Sequence, residues 1–446
     1  MSSSSQHQAE FECRRFYVLA ACSQFLLDST IWLFYLTQHL GLSVAEAVAI
    51  HASVMTVGGL LDLPTGSWAD RFGRRRIIIL GFCARAASTA ILSLSPSMPG
   101  IVVAALLAGF GWAQLSGAVE AFMHDNLKSL GHEGLFKRAI SNVVIVIYLS
   151  RIAAFSLSGF LFMVRPELPY ILSSIALALG ALAAWSLPEH PFERSGATAD
   201  LAHIRGGIAF FVGTPRLLVF VLLTVCAGIS AEQIWYSFQP LMANAQMAPT
   251  TIGLAYGAAS ACSALGAWLT KRLLAANRDA LAIALSNALF GIGGILLSLA
   301  THPSAIALSQ SLTCLGFGMG WAATSAVLNA HVPTSHRAVC LSLRSTVELA
   351  AVGLGGAVSG VVFERFGPKF VSFPMGLAAA LLAPMVYVAV RRLKSPPTCV
   401  EPKIAPGRSA PLAVITGRGQ LLVLTAKPAK NYASALLPHL RNNHDR

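Results

Sequence analysis

The chain has 446 residues, 55% of them hydrophobic and only 11% charged, with a formal net charge of +13. Ordinary soluble domains carry roughly 25% charged residues, so this composition excludes a water-soluble globule. The basic residues form no arginine-rich helix, zinc-finger spacing or aromatic-interleaved stripe, which excludes a nucleic-acid partner. The eight cysteines are scattered singly without a CxxC pair, and they read as small buried hydrophobes with neither disulfides nor a metal site.

At the N-terminus, MSSSSQHQAEFECRRFYVLAACSQ lacks a short apolar core followed by a small-residue cleavage site, and its apolar run is too long for a signal peptide. It is expected to stay as the first spanning helix. Apolar runs of about 20 residues cross a bilayer core. Breaks at Gly, Pro and charge predict twelve such helices, at 16–40, 45–68, 77–95, 99–124, 138–163, 168–187, 216–240, 250–271, 279–300, 304–331, 337–362 and 368–391. The fold class is therefore an all-α membrane protein of twelve transmembrane helices.

Orientation follows from the basic residues. With the N-terminus inside, the inner segments hold nineteen Lys and Arg, including Arg14, Arg15, Arg71, Arg74, Arg75 and Arg76, while the outer loops hold only Arg165, Arg365 and Lys369. That asymmetry places both termini in the cytoplasm. Absence of an N-x-Ser/Thr sequon fits a bacterial inner (plasma) membrane.

The longest polar break, residues 188–215, separates two halves of six helices. The expected partition is a cytoplasmic N-terminus (1–15), an N-terminal half (16–187), a linker (188–215), a C-terminal half (216–394) and a cytoplasmic tail (395–446) that is poorly ordered or lies on the membrane surface. The halves echo each other. Arg138-Ala139 and Ser158-Gly159-x-x-Phe162 of helix 5 recur as Arg337-Ala338 and Ser359-Gly360-x-x-Phe363 of helix 11. Ser173 of helix 6 matches Ser372 of helix 12, and Trp112-Ala113 of helix 4 matches Trp321-Ala322 of helix 10. Two like-oriented, pseudo-symmetric six-helix halves are the parallel-repeat plan of a large transporter class, with a ligand site near the midplane between them.

Between helices 2 and 3 the chain reads GSWADRFGRRR. Gly66, Asp70, Arg71, Gly73, Arg74, Arg75 and Arg76 fit the loop signature of the major facilitator superfamily, and the chain resembles that family over roughly residues 16–394. Leu63-Pro64-Thr65 and the Ser116-Gly117-Ala118-x-Glu120-Ala121 run resemble members described as drug exporters. The resemblance implies that this loop braces helix 2 against the start of helix 11 when the cavity faces outward. Gly66, Asp70, Arg71, Gly73 and Arg74 would form that latch, with Asp125 as the acid from helix 4. It also implies a fold complete as a monomer. The second half carries a worn copy, Gly266 to Arg272, with Thr270 where Asp70 would be, and helix 4 has no arginine of the kind the family's proton antiporters place there.

Ionisable groups at membrane depth cost at least about 2.5–3.5 kcal/mol on insertion scales, so each is a candidate for function. Asp28 and Arg151 lie about 18 and 20 Å from the cytoplasmic helix ends at 1.5 Å per residue, close enough in depth to pair. Glu232, inside AEQIWYSFQP with Trp235 and Tyr236, offers a carboxylate among aromatic and amide groups that suits an amphipathic ligand. An interfacial aromatic belt is the alternative for Trp235 and Tyr236. Arg344 and Glu348 stand i, i+4 and are expected to neutralise each other. Asp62 and Glu120 sit near the inner end as gate residues, and Arg85 is expected to reach Asp62 or snorkel to the interface.

The expected activity is alternating-access transport, with proton-driven export of a small amphipathic compound favoured. Asp28, Glu232 and Glu120 are the proton candidates, and no cofactor beyond the proton gradient is needed. The alternatives are an uptake symporter, in which Arg151 and Arg344 hold an anion, and a non-transporting membrane sensor. No P-loop, GxSxG elbow or HExxH helix is present, so the chain is not expected to be an enzyme.

Overall fold

Among the described residues, eleven helices are long and apolar enough to cross a bilayer, and a bent pair, Gln8–Thr30 with Trp32–His39, supplies a twelfth span broken by 50°. The computed structural model describes residues 3–94, 97–188, 201–394, 412–415 and 421–424, with the side chains at 3–7, 66, 67, 70, 133, 137, 201–204, 334–338, 394, 412–415 and 421–424 outside that description. In chain order, spans 2 to 6 run over Val44–Thr65, Arg74–Leu94, Met98–Ser129, Arg138–Val164 and Leu168–Ser186. Spans 7 to 12 follow as Pro215–Asn244, Pro249–Ala275, Asp279–Leu299, Pro303–His331, Val339–Phe366 and Lys369–Leu393.

Local chemistry sets the ends. Ser43 caps span 2 in a reciprocal box with Glu46, each side chain bonding the other's backbone amide. The helix then continues past Thr65 to Phe72, so GSWADRF is helical and the chain reverses only at Gly73, whose φ of 95° suits glycine. The linker contributes a helix at Leu201–Gly213, and the rest of it, residues 189–200, lies outside the described residues. In the separate unit 395–446, Leu412–Ile415 and Leu421–Leu424 pair as an antiparallel ribbon, β1 and β2, where the sequence predicted no regular structure. The remainder of the tail lies outside the described residues.

Repeat symmetry extends to hydrogen bonds. Thr65 on span 2 donates to the Ala113 carbonyl on span 4 at 3.2 Å, and Thr270 on span 8 donates to the Met319 carbonyl on span 10 at 3.2 Å. Thr270 thus plays the part of Thr65 rather than that of Asp70. Ser88 ties span 3 to Ala104 of span 4 at 2.7 Å, as Ser309 of span 10 ties to Gly293 of span 9 at 2.6 Å.

The halves meet along spans 2 and 11 and along spans 5 and 8. Their contact is lopsided. One large core cluster joins residues of both halves, among them Leu33, Phe155, Phe238 and Tyr256, and all of it lies toward the end opposite the arginine-bearing loops. At the basic end the cores are separate, one built only from the N-terminal half around Phe16 and Phe82, the other only from the C-terminal half around Phe220 and Val390. The far end is sealed and the basic end is split.

Glycines make the seal close. A Cβ on Gly253 of span 8 would stand 2.7 Å from the Phe155 carbonyl and 3.0 Å from the Gly159 amide of span 5. One on Gly353 of span 11 would stand 2.7 Å from the Ala52 carbonyl of span 2. No side chain fits at either crossing.

Candidate functional site

Span 1 breaks where its sequence turns polar. Ser23, Gln24, Asp28, Ser29 and Thr30 lie close together, and such residues offer the backbone alternatives to helical bonding. The helix stops at Gln24 and resumes as a tight turn over Leu27–Thr30. Ser173 of span 6 satisfies the freed amides, its hydroxyl oxygen accepting from Leu27 N at 2.9 Å and Asp28 N at 3.3 Å, and the same hydroxyl lies beside the Asp28 carboxyl. Thr30 and Ser158 of span 5 share a further hydrogen bond. Irregular backbone at membrane depth is tolerated only where protein or a cavity satisfies it. Asp28 Oδ1, buried, has no hydrogen-bond partner among the described residues.

The match in the C-terminal half shows what the break uses. Ser372 is fully buried and its hydroxyl has no partner among the described residues, as span 7 is continuous from Pro215 to Asn244 and frees no amide. Ser173→Ala should therefore leave two amides unsatisfied, at about 1–3 kcal/mol for each buried group, and lower the thermal unfolding midpoint measurably. Ser372→Ala is expected to be near neutral in the same melt.

The expected Asp28–Arg151 pair is not formed. Arg151 donates from Nε to Gln24 Oε1 at 2.8 Å, with Tyr148 one turn away on its own helix. The cation near Asp28 is Arg85, which reaches neither Asp62 nor the membrane interface. Its Nη1 points to the Ser23 carbonyl at 3.4 Å and its guanidinium lies 5.6 Å from the Trp112 ring centroid, within electrostatic reach of both Asp28 and Arg151. Arg85 was expected at Asp62 or at the membrane interface; it points instead to the carbonyl of Ser23, next to the break in span 1.

Across the seam, Arg344 and Glu348 pair at 2.6 Å. Glu348 packs over Gly228, where a Cβ would collide with its carboxyl, and that places it in electrostatic range of Glu232 one turn further along span 7. Glu232 makes no hydrogen bond or ion pair among the described residues. Cys314 of span 10 lies within electrostatic reach of both Arg151 and Glu232 and so marks where the two halves' charges face each other. Three acids (Asp28, Glu232, Glu348) and three arginines (Arg85, Arg151, Arg344) balance to zero here, but only one pair is closed.

The aromatic and amide groups divide. Trp235, half-buried, stands edge-on to Tyr256 at 5.2 Å and to Phe317 at 6.1 Å, and with Glu232 three residues before it forms one face of span 7. Tyr236 is instead 2% exposed and belongs to the seal, T-shaped to His51, which stacks on Trp32 at 4.2 Å. Neither residue sits in an interfacial belt. Gln233 donates to the Val352 carbonyl at 3.0 Å and accepts from Ser359 at 2.7 Å, and Gln239 accepts from the Leu33 amide at 3.0 Å, so both amides hold the seal.

At the basic end, Arg74 pairs with Asp125 at 2.6 Å and His124 lies 3.7 Å from the same carboxylate. Arg75 donates to the Leu187 carbonyl at 3.1 Å, and Arg71 lies over Phe72. The loop is thus tied to its own half in this state. Asp62 faces Ser116 of its own half and Ser345 of the other, and Glu120 is exposed in the first turn after Gly117, whose φ of 69° kinks span 4.

Twelve spans in two halves, with a cluster of charged groups at their seam, have the plan of a membrane carrier for small molecules. The family model of the Major Facilitator Superfamily matches residues 16–275 and 220–437, and the chain belongs to that family, whose members are secondary transporters and not enzymes. A stretch of 131 residues is 34% identical to the magnetosome protein MamH of Paramagnetospirillum magneticum, covering 25% of this chain and only 30% of that protein. Among solved structures, the nucleoside transporter NupG is similar with a TM-score of 0.67 at 17% identity, over 85% of this chain and 99% of that one. A D-xylose-proton symporter gives 0.67 at 15% identity over 86% and 98%. An auto-inhibited peptide transporter of the POT family gives 0.68 at 17% over 85% and 97%. At these identities the likeness concerns the fold alone.

Proposed function

We propose that the chain exports a small amphipathic organic compound in exchange for protons across a plasma (inner) membrane, with its basic end and both termini in the cytoplasm. The observation that carries this reading is Glu232, an acid at membrane depth without a partner among the described residues, beside a second acid already held by Arg344. Two carboxylates share one arginine here, and a proton exchanged at Glu232 changes the charge of the face that Trp235 and Phe317 offer a ligand. Asp28, on the broken segment of span 1, is the second coupling candidate, and Glu120 at the basic mouth is the third. The open basic end is where cargo enters from the cytoplasm. Asp70, with Arg71, Gly73 and Arg74, acts as the latch toward span 11 in the opposite state, and Arg74–Asp125 keeps that loop on its own half meanwhile.

A second reading, proton-coupled uptake of a small organic anion, is favoured by Arg151, whose partner is an uncharged amide. Inverted vesicles separate the two. Export requires accumulation of an amphipathic cation or neutral compound under an inward-acid gradient and proton release when the compound is added. Uptake instead requires gradient-driven entry of an organic anion into whole cells that Arg151→Ala abolishes.

A further inference from the structure

Spans 7 and 12 leave a groove of about 570 Å³ on the outside of the bundle, at its basic end. Its walls are apolar, with Val219, Leu223, Met385 and Val388, and Arg216 and Arg392 stand on its two sides. Val219, Met385 and Val388 are 51%, 52% and 45% exposed, as befits a surface that meets lipid. Both arginines are exposed, and neither forms an ion pair among the described residues. Span 12 carries no acid, and the first acid on span 7 is Glu232, four turns from Arg216. Arg391, the neighbour of Arg392, turns instead toward the Tyr387 ring, 6.0 Å away.

The repeat supplies an internal contrast. Between spans 1 and 6 the groove, about 340 Å³ lined by Cys22, Phe25, Leu172 and other apolar residues, lies away from the basic end, and at the basic end itself Arg15 donates to the Ser186 carbonyl of span 6. In the N-terminal half the arginine at that end thus bonds a carbonyl of its own bundle, whereas Arg216 and Arg392 flank an apolar trough without an ion pair among the described residues.

We propose that this groove binds an anionic phospholipid from the leaflet at the basic end. One acyl chain lies between Val219, Leu223, Met385 and Val388, and the phosphate sits between Arg216 and Arg392. Charge complementarity selects the occupant: basic pockets between transmembrane helices on one leaflet suit anionic head groups, guanidinium matches phosphate oxygens in a two-pronged geometry, and a soluble anion has no use for the trough. Because spans 7 and 12 both belong to the C-terminal half, the lipid rides with that half.

Native mass spectrometry of the purified full chain, titrated with phosphatidylglycerol or phosphatidylcholine, tests this. The expected result is a one-to-one phosphatidylglycerol adduct, weakened about fivefold by Arg216→Ala or Arg392→Ala and about 30-fold by both, at about 1 kcal/mol for each basic residue near the surface. The double Arg→Lys variant keeps the charge and should retain most of the binding. Val219→Trp, which fills the trough with both arginines intact, should also weaken the adduct, whereas Arg278→Ala, at the same end but outside the groove, should not. Equal binding of phosphatidylcholine, equal loss in Arg278→Ala, or full competition by glycerol 1-phosphate would overturn the proposal. The last result would leave an anion site only. The readout is independent of cargo, so failure of the export reading leaves it standing.

Discussion

Glu232→Gln is expected to abolish proton-driven transport while substrate binding stays close to that of the unaltered protein. Coupling between two sites is a free energy, typically about 1–3 kcal/mol or 5–150-fold, and it vanishes when the group that carries the proton can no longer change charge. Glutamine keeps the size and polarity of the side chain, so the face it shares with Trp235 is preserved. In proteoliposomes, the gradient-dependent part of the rate should disappear while exchange of labelled for unlabelled substrate at equal pH persists. Gradient-driven transport at the unaltered rate would remove Glu232 from the mechanism. Glu348→Gln should behave differently, because it strands Arg344 in the bundle. Its pair is closed at 2.6 Å with side chains 18% and 19% exposed, and breaking such a pair costs about 3 kcal/mol, so stability falls along with transport.

Gly253→Leu should push the equilibrium away from the sealed far end. The crossing of spans 5 and 8 has no room for even a methyl group, with 2.7 Å to the Phe155 carbonyl, and overpacking a tight contact costs about 1–3 kcal/mol. Only the state in which those helices touch bears that cost. A shift of about 2 kcal/mol is near 30-fold in population, enough to reverse a modest preference. A membrane-impermeant thiol reagent added from the far side should then label a cysteine placed at Gln246 or Gln38 faster in the variant. An unchanged labelling rate together with an unchanged melting midpoint would show that the crossing has slack.

Much of this architecture was legible in the sequence, because hydrophobic length and charge asymmetry act on whole helices. The repeat was legible for a similar reason, since Ser158-Gly159 and Ser359-Gly360 are small residues at helix crossings that both halves need. What escaped was set by contacts between helices. The break in span 1 left a local trace in its run of polar residues, but its meaning depends on Ser173, 145 positions from Asp28, which the sequence marked only as the repeat partner of Ser372. Arg85 was assigned to Asp62 or the interface on sequence depth alone, whereas its contacts with the Ser23 carbonyl and the Trp112 ring depend on neighbouring helices. Tyr236 and Gln239 were read together with Glu232 and Trp235 because they share a segment, and the helical turn assigns them to different faces, two to the seal and two to the chamber. The Arg344–Glu348 spacing, by contrast, was sufficient by itself, since i, i+4 geometry needs nothing from the rest of the fold.

The alternation of the two ends is tested most directly by double electron–electron resonance on one protein bearing a label pair at either end. Gln38 with Gln246 reports the far end, and Lys128 with Arg278 reports the basic end; all four are exposed. Transfer from alkaline to acidic buffer is expected to lengthen the far-end distance and shorten the basic-end distance together, with Glu232→Gln insensitive to the change. Distances that rise or fall together at both ends, or that ignore pH in the unaltered chain, would contradict a proton-driven rocking of the two halves about the charged chamber.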